Sequence, residues 1–254
     1  MLDKTGEHAV TEACQRLQEI FAGRLVAAAV YGSGAGLDYV AGSSDINLVV
    51  VLDEVRPADL RELRPHVKAW RRKGIATPLL LDRCFLAAAA DVFPMELHDI
   101  QAQHRCLVGE DVFARLQVQD DHLRFQCEHE ARGKVLRLRE VYLEIGDDSR
   151  RLKALMIDSL RTFLVIMRNM IRLEGPVGQL SYTDVLAAFE RRFQCALPVT
   201  SSLLRIKLKQ ASWEGDVETT FAEYCQEMQQ LVRVIDEIRL TSATPTSEPP
   251  SHQP

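Results

Sequence analysis

The sequence contains no long hydrophobic run and no regular arrangement of metal-binding side chains. The most apolar helical stretch, residues 152–173, is interrupted by Asp158, Arg161 and Arg168, so we expect no membrane span. The six cysteines form no Cys-x-x-Cys pair, and the histidines form no His-x-x-x-His spacing. A zinc site or a disulfide framework is therefore not expected, and scattered reduced thiols favour a cytoplasmic location.

The sequence also has no net positive charge and no evident secretory leader. Residues 1–7 have neither a basic region nor an apolar run, so we expect no signal peptide. The formal net charge of -5 argues against broad nucleic-acid binding driven by charge. With 254 residues, 46% of them hydrophobic, the chain is long enough for a sizeable core and for two domains.

Strand-like and helix-like segments alternate through the first half of the chain. Apolar periodicity predicts a helix over 7–22, strands over 25–31 and 46–52, and a helical stretch over 57–73 that is kinked or broken at Pro65. A strand over 75–81, a short helix over 84–90 and a fourth strand over Met95 to Ile100 follow. This alternation predicts an α/β (α+β) domain with a mixed sheet over residues 1–118.

The second half of the chain is helical in pattern throughout. Apolar stripes predict helices over 122–145, 149–175, 183–193, 201–211 and 217–240. They predict an all-α antiparallel helical bundle over residues 119–240. Residues 241–254 are rich in Pro, Ser and Thr, which predicts a disordered tail.

The glycine-rich turn after the first strand suggests a phosphate-binding site. Two well-known phosphate-binding motifs can be compared with it. A P-loop requires Gly-Lys-Ser/Thr, which does not follow Gly34. A dinucleotide fingerprint is closer, because glycines recur at 32, 34 and 36 and Asp53 lies about 20 residues further on. However, only residues 37–44 separate the glycines from the next strand, whereas a parallel crossover needs roughly a dozen residues. The two strands are therefore predicted to be antiparallel neighbours, with Ser33, Asp45 and Asn47 at one rim.

The residues at this rim carry a family resemblance. Gly32-Ser33 after an apolar strand, followed by Ser44-Asp45-x-Asn47 at the start of another, resembles the Gly-Ser and Asp-x-Asp motifs of the nucleotidyltransferase superfamily. Residues 93–97 and 107–111 resemble, more weakly, the closing segments of its antibiotic adenylyltransferase branch.

The resemblance implies transfer of a nucleoside monophosphate from a nucleoside triphosphate to an acceptor hydroxyl, with release of pyrophosphate. Gly32, Ser33, Gly34 and Ser44 would hold the triphosphate. Asp45 would be catalytic and would bind Mg²⁺ or Mn²⁺ together with Asn47. The acceptor, a small molecule or a protein, is not indicated.

The Asp-x-Asn sequence leaves two functions open. Strand residues two apart share a face, and two carboxylates there, usually with a third from a nearby strand, hold two Mg²⁺ ions. Asn47 supplies a neutral amide instead, and the strand over 75–81 contains no carboxylate. Either a relocated acid, from Asp82, Glu96 or Asp99, completes an active enzyme, or the protein is a degenerate member that binds a nucleotide or a protein partner without chemistry.

Two groups of charged side chains in the helical half have alternative interpretations. The cations of the first bundle helix either grip phosphates or form a solvated face paired with nearby glutamates, and the pairing is favoured: Arg124, Arg132, Lys134, Arg137 and Arg139. Asp158 and Arg161 are three residues apart, so we predict that they pair with each other, and whether either faces the cleft between the domains is left open.

Overall fold

Four strands form one mixed sheet in the first half of the chain. The computed structural model describes residues 2–36, 39, 44–175, 178 and 180–238, so the predicted tail over 241–254 lies outside the described residues. The strands are β1 (Leu25–Tyr31), β2 (Asn47–Leu52), β3 (Leu79–Asp82) and β4 (His104–Gly109), in the order β3-β2-β1-β4. Strand β1 is antiparallel to β2 and β4, and β2 is parallel to β3. The predicted antiparallel pairing of the two site strands is confirmed.

Helices cover both faces of this sheet. They are α1 (Lys4–Ile20), α2 (Pro57–Arg72), α3 (Arg83–Ala88) and α4 (Pro94–Ala102). Helices α1 and α2 pack on the face that carries Ala28, Val30 and Val50. Helices α3 and α4 pack on the opposite face, which carries Ala29 and Val49. Burial on both faces explains why β1 and β2 are almost continuously apolar.

The structure corrects two predictions in this half. Met95 to Ile100 is not the fourth strand but part of α4, because Pro94 is suited to the first turn of a helix and Leu97 and Ile100, three apart, are both buried. The fourth strand is β4 instead. Of the kink or break predicted at Pro65, the break does not occur, since α2 continues through this exposed residue and the carbonyl left without a partner can be solvated.

The second half of the described chain consists of helices packed around a central one. They are α5 (Asp120–Ile145), α6 (Ser149–Leu173), α7 (Tyr182–Phe193), α8 (Pro198–Lys207) and α9 (Val217–Glu237). Helix α6 contacts each of the other four, and its apolar residues, such as Leu160, Phe163 and Met167, are fully buried. Within the described ranges, no helix is long and apolar enough to cross a membrane.

Helix α4 joins the sheet to the helical region. Met95 belongs to the core of the helical region, whereas Leu97 and Ile100 belong to a core of the sheet. The backbone N–H of Met95 donates to Gln126 of α5 at 2.7 Å, and the amide of Gln126 donates to Glu96 at 2.8 Å. This short helix therefore sets the position of the helical region relative to the end of β1.

Candidate functional site

The turn that follows β1 is held in a fixed shape by backbone hydrogen bonds. Gly32, Ser33 and Gly34 form one turn of 3₁₀ helix. Gly32 has φ +65°, a conformation that favours glycine, and its N–H donates to the carbonyl of Gln103 at 2.9 Å. The N–H of Ala35 donates to the Gly32 carbonyl at 3.0 Å. The end of α4 thus supports the turn from outside.

The start of β2 lies against this turn. In the β1–β2 register Tyr31 is opposite Asn47. A methyl group added at Gly32 would lie 3.5 Å from Nδ2 of Asn47. Because Val49 lies in the core beneath α3 and α4, strand alternation puts Asn47 on that same face, and Asp45 precedes it by two residues. The structure therefore brings the Gly-Ser turn and the Asp-x-Asn segment to one rim of the sheet.

Asp45 lines a small cavity together with residues that precede β3. The cavity has a volume of about 150 Å³ and is also lined by Arg71, Ile75, Ala76 and Thr77. Ile75 bridges to Ile46 in parallel fashion, which explains why the end of α2 arrives beside Asp45. The only carboxylate of this lining is that of Asp45, and Arg71 brings a positive charge to it.

The three candidates for a relocated acid have other structural partners. Asp82 accepts from the N–H of Phe85 at 2.7 Å and so caps α3. It is opposite Leu52, seven residues along the strand from Asp45, a distance of roughly 23 Å. Asp99 is paired with Arg172, and Glu96 accepts from Gln126. Among the described residues, no group of three or more His, Cys, Asp or Glu side chains is placed to hold a metal ion.

This donor set fits one magnesium ion better than two. Asp45 offers a carboxylate and Asn47 an amide oxygen, and Mg²⁺ is commonly held by one or two carboxylates plus substrate phosphates and water. Two ions held together need bridging anions that the described residues near Asp45 do not supply. Asp45 and Asn47 would therefore suffice for one divalent cation but not for two.

Helix α6 brings one positive charge near the end of β1. Burial raises the pKa of the Tyr31 hydroxyl, and the positive charge of Arg161 in α6 partly opposes this increase. Arg161 is exposed, and it forms no ion pair with Asp158 within the part of the chain that the structure describes. The predicted pairing of these two exposed residues is therefore wrong.

Most of the cations of α5 follow the favoured interpretation. Arg132 pairs with Glu128 at 2.9 Å and with Asp236 of α9 at 2.7 Å, and Arg137 pairs with Glu140 at 3.1 Å. Together with the pair of Arg124 and Glu128 at 3.4 Å, these contacts confirm the paired interpretation for three of the five cations. Lys134 and Arg139 form no ion pair among the described residues.

Sequence reasoning missed Arg71, Gln103 and Arg161 as neighbours of the rim. The position of Arg71 near the rim could in principle have been predicted, because Gly74 ends α2 and the following segment runs parallel to the start of β2. Gln103 and Arg161 come from helices whose placement depends on tertiary packing, and no local pattern indicates it.

Comparison with known proteins identifies a similar fold. No protein-family model matches the chain, and no curated protein sequence matches it. Among solved structures, spectinomycin adenyltransferase from Enterococcus faecialis, determined with ATP and spectinomycin, is similar with a TM-score of 0.53 and 10% identity. The similarity covers 88% of this chain and 99% of that one. At this identity it shows the fold alone: a nucleotidyltransferase-like sheet domain followed by a helical region.

Proposed function

We propose that the protein binds a nucleoside triphosphate with one Mg²⁺ or Mn²⁺ ion at the rim between β1 and β2. The observation that carries the proposal is the closeness of Asn47 to Gly32, which brings the Asp-x-Asn segment beside the Gly-Ser turn. Gly32, Ser33, Gly34 and Ser44 hold the phosphates, and Asp45 with Asn47 binds the cation. The solved neighbour was determined with ATP, which supports a nucleotide as the ligand.

In this proposal binding is the principal function, and the protein is a degenerate nucleotidyltransferase. Positioning and charge neutralisation are most of what a two-metal site contributes to phosphoryl-type transfer. Here one acid of the motif is an amide, and the candidates for a third acid serve structural contacts. A triphosphate is therefore held without the second cation that would stabilise departing pyrophosphate.

Nucleotidyl transfer is the second candidate, and the two arginines near the rim favour it. Arg71 lines the Asp45 cavity, and the positive charge of Arg161 acts on Tyr31. Guanidinium groups stabilise the charge that develops on phosphates during transfer. In this reaction an acceptor hydroxyl oxygen bonds to the α-phosphorus, the bond to pyrophosphate breaks, and the hydroxyl proton passes to a base.

Calorimetric titration tests both candidates. Each of the four common nucleoside triphosphates is added to the protein with Mg²⁺, with Mn²⁺ or with a chelator, and pyrophosphate release is measured over a panel of acceptors. We expect metal-dependent binding that Asp45→Asn weakens about tenfold or more, as loss of the only carboxylate ligand implies. Asp53→Asn, at the far end of the same strand, is the control and should bind like the unaltered protein.

The outcomes separate the candidates. Binding without pyrophosphate release supports the degenerate protein, and release that depends on Asp45 supports the transferase. Absence of binding under every condition, or equal binding by Asp45→Asn and the unaltered protein, rejects a nucleotide site at this rim.

A further inference from the structure

A basic groove runs beside α2 at the β3 edge of the sheet. Its volume is about 790 Å³. Leu60, Leu63 and Val67 form its apolar floor, and Thr77 lines it just before β3. Four cations line the rest, and none of the lining residues is acidic: Arg64, Lys68, Arg71 and Arg72. We call this surface the α2 groove.

The four cations of the α2 groove have no anionic partners. Among the described residues, their side chains take part in no hydrogen bond and no ion pair. Neighbouring cations behave differently: Lys73 pairs with Glu12 at 2.5 Å and Arg56 with Glu54 at 2.7 Å. Four unpaired positive charges are thus gathered on a protein whose formal net charge is -5. Such a local field attracts an anionic ligand and repels a cationic one.

Apolar and cationic side chains alternate along the groove. Leu60, Arg64, Val67 and Arg71 are spaced by four, three and four residues, which puts them on one face of α2. They span roughly 16 Å of helix. A ligand that follows this face meets apolar and positively charged positions in turn.

The open shape of the groove decides which kind of anion fits. Leu60 is 55% exposed, so the floor is shallow, whereas small-molecule sites usually enclose most of their ligand. The lining contains no aromatic side chain on which a nucleic-acid base would stack. An extended chain that presents acidic and apolar side chains on the same face, at every second residue, matches both the cations and the floor.

We propose that the α2 groove docks an acidic, partly apolar peptide segment of a protein partner. Carboxylates of the segment pair with the guanidinium and ammonium groups, and its apolar side chains cover Leu60 and Val67. Strand β3 is the last strand of the sheet in the described chain, so the segment reaches the groove from an open edge.

The groove also leads to the candidate nucleotide site. Arg71 and Thr77 line both the α2 groove and the Asp45 cavity. A docked segment therefore ends beside Asp45, where a serine, threonine or tyrosine hydroxyl would be a protein acceptor. That last step rests on the proposed nucleotide site, whereas docking itself does not.

Fluorescence anisotropy with a labelled peptide tests the docking. The probe is the eight-residue peptide Glu-Ser-Leu-Ser-Glu-Ser-Leu-Ser, whose glutamate and leucine side chains share one face when the chain is extended. It is added to the full-length protein at about 50 mM and about 300 mM NaCl. The double substitution Arg64→Glu and Lys68→Glu changes only exposed side chains outside the Asp45 cavity. We expect it to weaken binding about tenfold or more, and higher salt to weaken binding of the unaltered protein.

A matched control makes the same change in charge at a surface away from the α2 groove. Arg150→Glu with Arg151→Glu alters two exposed arginines at the start of α6, and it should leave the peptide affinity unchanged. Thermal melting of both variants checks that they fold. Nucleoside triphosphate binding, measured on the same groove variant, should persist, so failure of docking is distinguishable from failure of the nucleotide site.

Several results would overturn the proposal. One is the absence of peptide binding at low salt. Another is an equal loss of peptide affinity in the groove and control variants. A third is equal binding of a peptide in which serine replaces leucine. Displacement of the peptide by inorganic triphosphate or by oligothymidine at lower concentrations than the unlabelled peptide would assign the groove to a small anion or to nucleic acid instead.

Discussion

Arg172 of α6 donates a hydrogen bond to the carboxylate of Asp99 in α4. The same guanidinium nitrogen donates to Oδ1 of Asn169 at 2.9 Å. The Arg172 side chain is 6% exposed and that of Asp99 23%. The pair crosses from the helical region to the helix that supports the Gly-Ser turn. An acid that the sequence offers as a possible metal ligand thus serves to join the two regions.

Removing Arg172 should destabilise the protein markedly. Arg172→Ala leaves the Asp99 carboxylate largely buried and unpaired, so we expect the free energy of unfolding to fall by about 2–4 kcal/mol. Arg137→Ala breaks an exposed pair with Glu140 and should cost less than about 1 kcal/mol. Urea unfolding followed by circular dichroism measures both. Similar midpoints for the two variants would show that the Arg172 pair contributes no more than a surface contact.

Restoring a second acid at the rim should strengthen metal binding. Asn47→Asp puts two carboxylates on one face of β2, and we expect affinity for Mn²⁺ in the presence of a nucleoside triphosphate to rise about tenfold. Calorimetry or the electron paramagnetic resonance of free Mn²⁺ measures the change. Asn169→Asp, in the interior of the helical region, adds the same charge away from the rim, and a gain of equal size there would contradict the assignment.

Gly109 and Gly146 share a positive φ but differ in the space around them. A methyl group at Gly109 (φ +82°) would lie 1.9 Å from the carbonyl oxygen of Val26, whereas nothing lies within 4 Å of one at Gly146 (φ +60°). We expect Gly146→Ala to cost about 1 kcal/mol from backbone conformation alone. Gly109→Ala should cost more than about 3 kcal/mol, since β1 and β4 must separate. Equal unfolding midpoints in urea would refute this difference.

Glu227 should make stability depend on pH. Its carboxylate accepts from the N–H groups of Val199 and Thr200 at 2.7 and 2.8 Å and from the Thr200 hydroxyl at 2.6 Å, so it caps the start of α8. Burial raises the pKa of Glu227 above its ordinary value of 4.5, although these hydrogen bonds oppose the increase. The folded protein therefore holds this proton more tightly than the unfolded chain does.

The sign of the effect follows from that difference. The stabilisation linked to the Glu227 proton is complete below pH 4.5 and is lost as the pH rises through the raised pKa of the folded state. Glu227→Gln cannot titrate, so the stability of the unaltered protein relative to this variant should fall from pH 4.5 upward. Urea unfolding at a series of pH values measures it. Glu223→Gln, one turn earlier on the exposed side of α9, controls for the lost charge, and a relative stability that rises with pH would contradict the prediction.

The sequence was sufficient to predict those strands and helices whose buried faces produce a regular pattern of apolar residues. Strand β1 has the predicted bounds, Leu25–Tyr31, because burial on both faces requires a continuous apolar run. The long helices of the second half likewise carry apolar stripes that match their buried faces. The short connection between β1 and β2 was enough to fix their antiparallel pairing.

Local sequence patterns could not predict the short elements or the contacts between residues far apart in the sequence. Met95 to His98 alternates as a strand would, yet it is helical, since Met95 packs on the helical region while Leu97 and Ile100 pack on the sheet. Of the metal-site candidates, Glu96 and Asp99 have partners that depend on tertiary packing, whereas Asp82 caps α3 locally. Likewise, the approach of Arg161 to Tyr31 depends on how α6 is placed, which no spacing in the sequence records.

Because α4 packs against both the sheet and the helical region, it affects whether these two halves of the chain can be exchanged separately. Val118 packs against the core of the helical region and against a core of the sheet, as α4 does with Met95 on one side and Leu97 on the other. The boundary predicted after residue 118 thus falls beside a side chain that serves both halves. A helical region taken from a relative would have to present the same complementary surface to α4, so the two halves must change in concert over evolution.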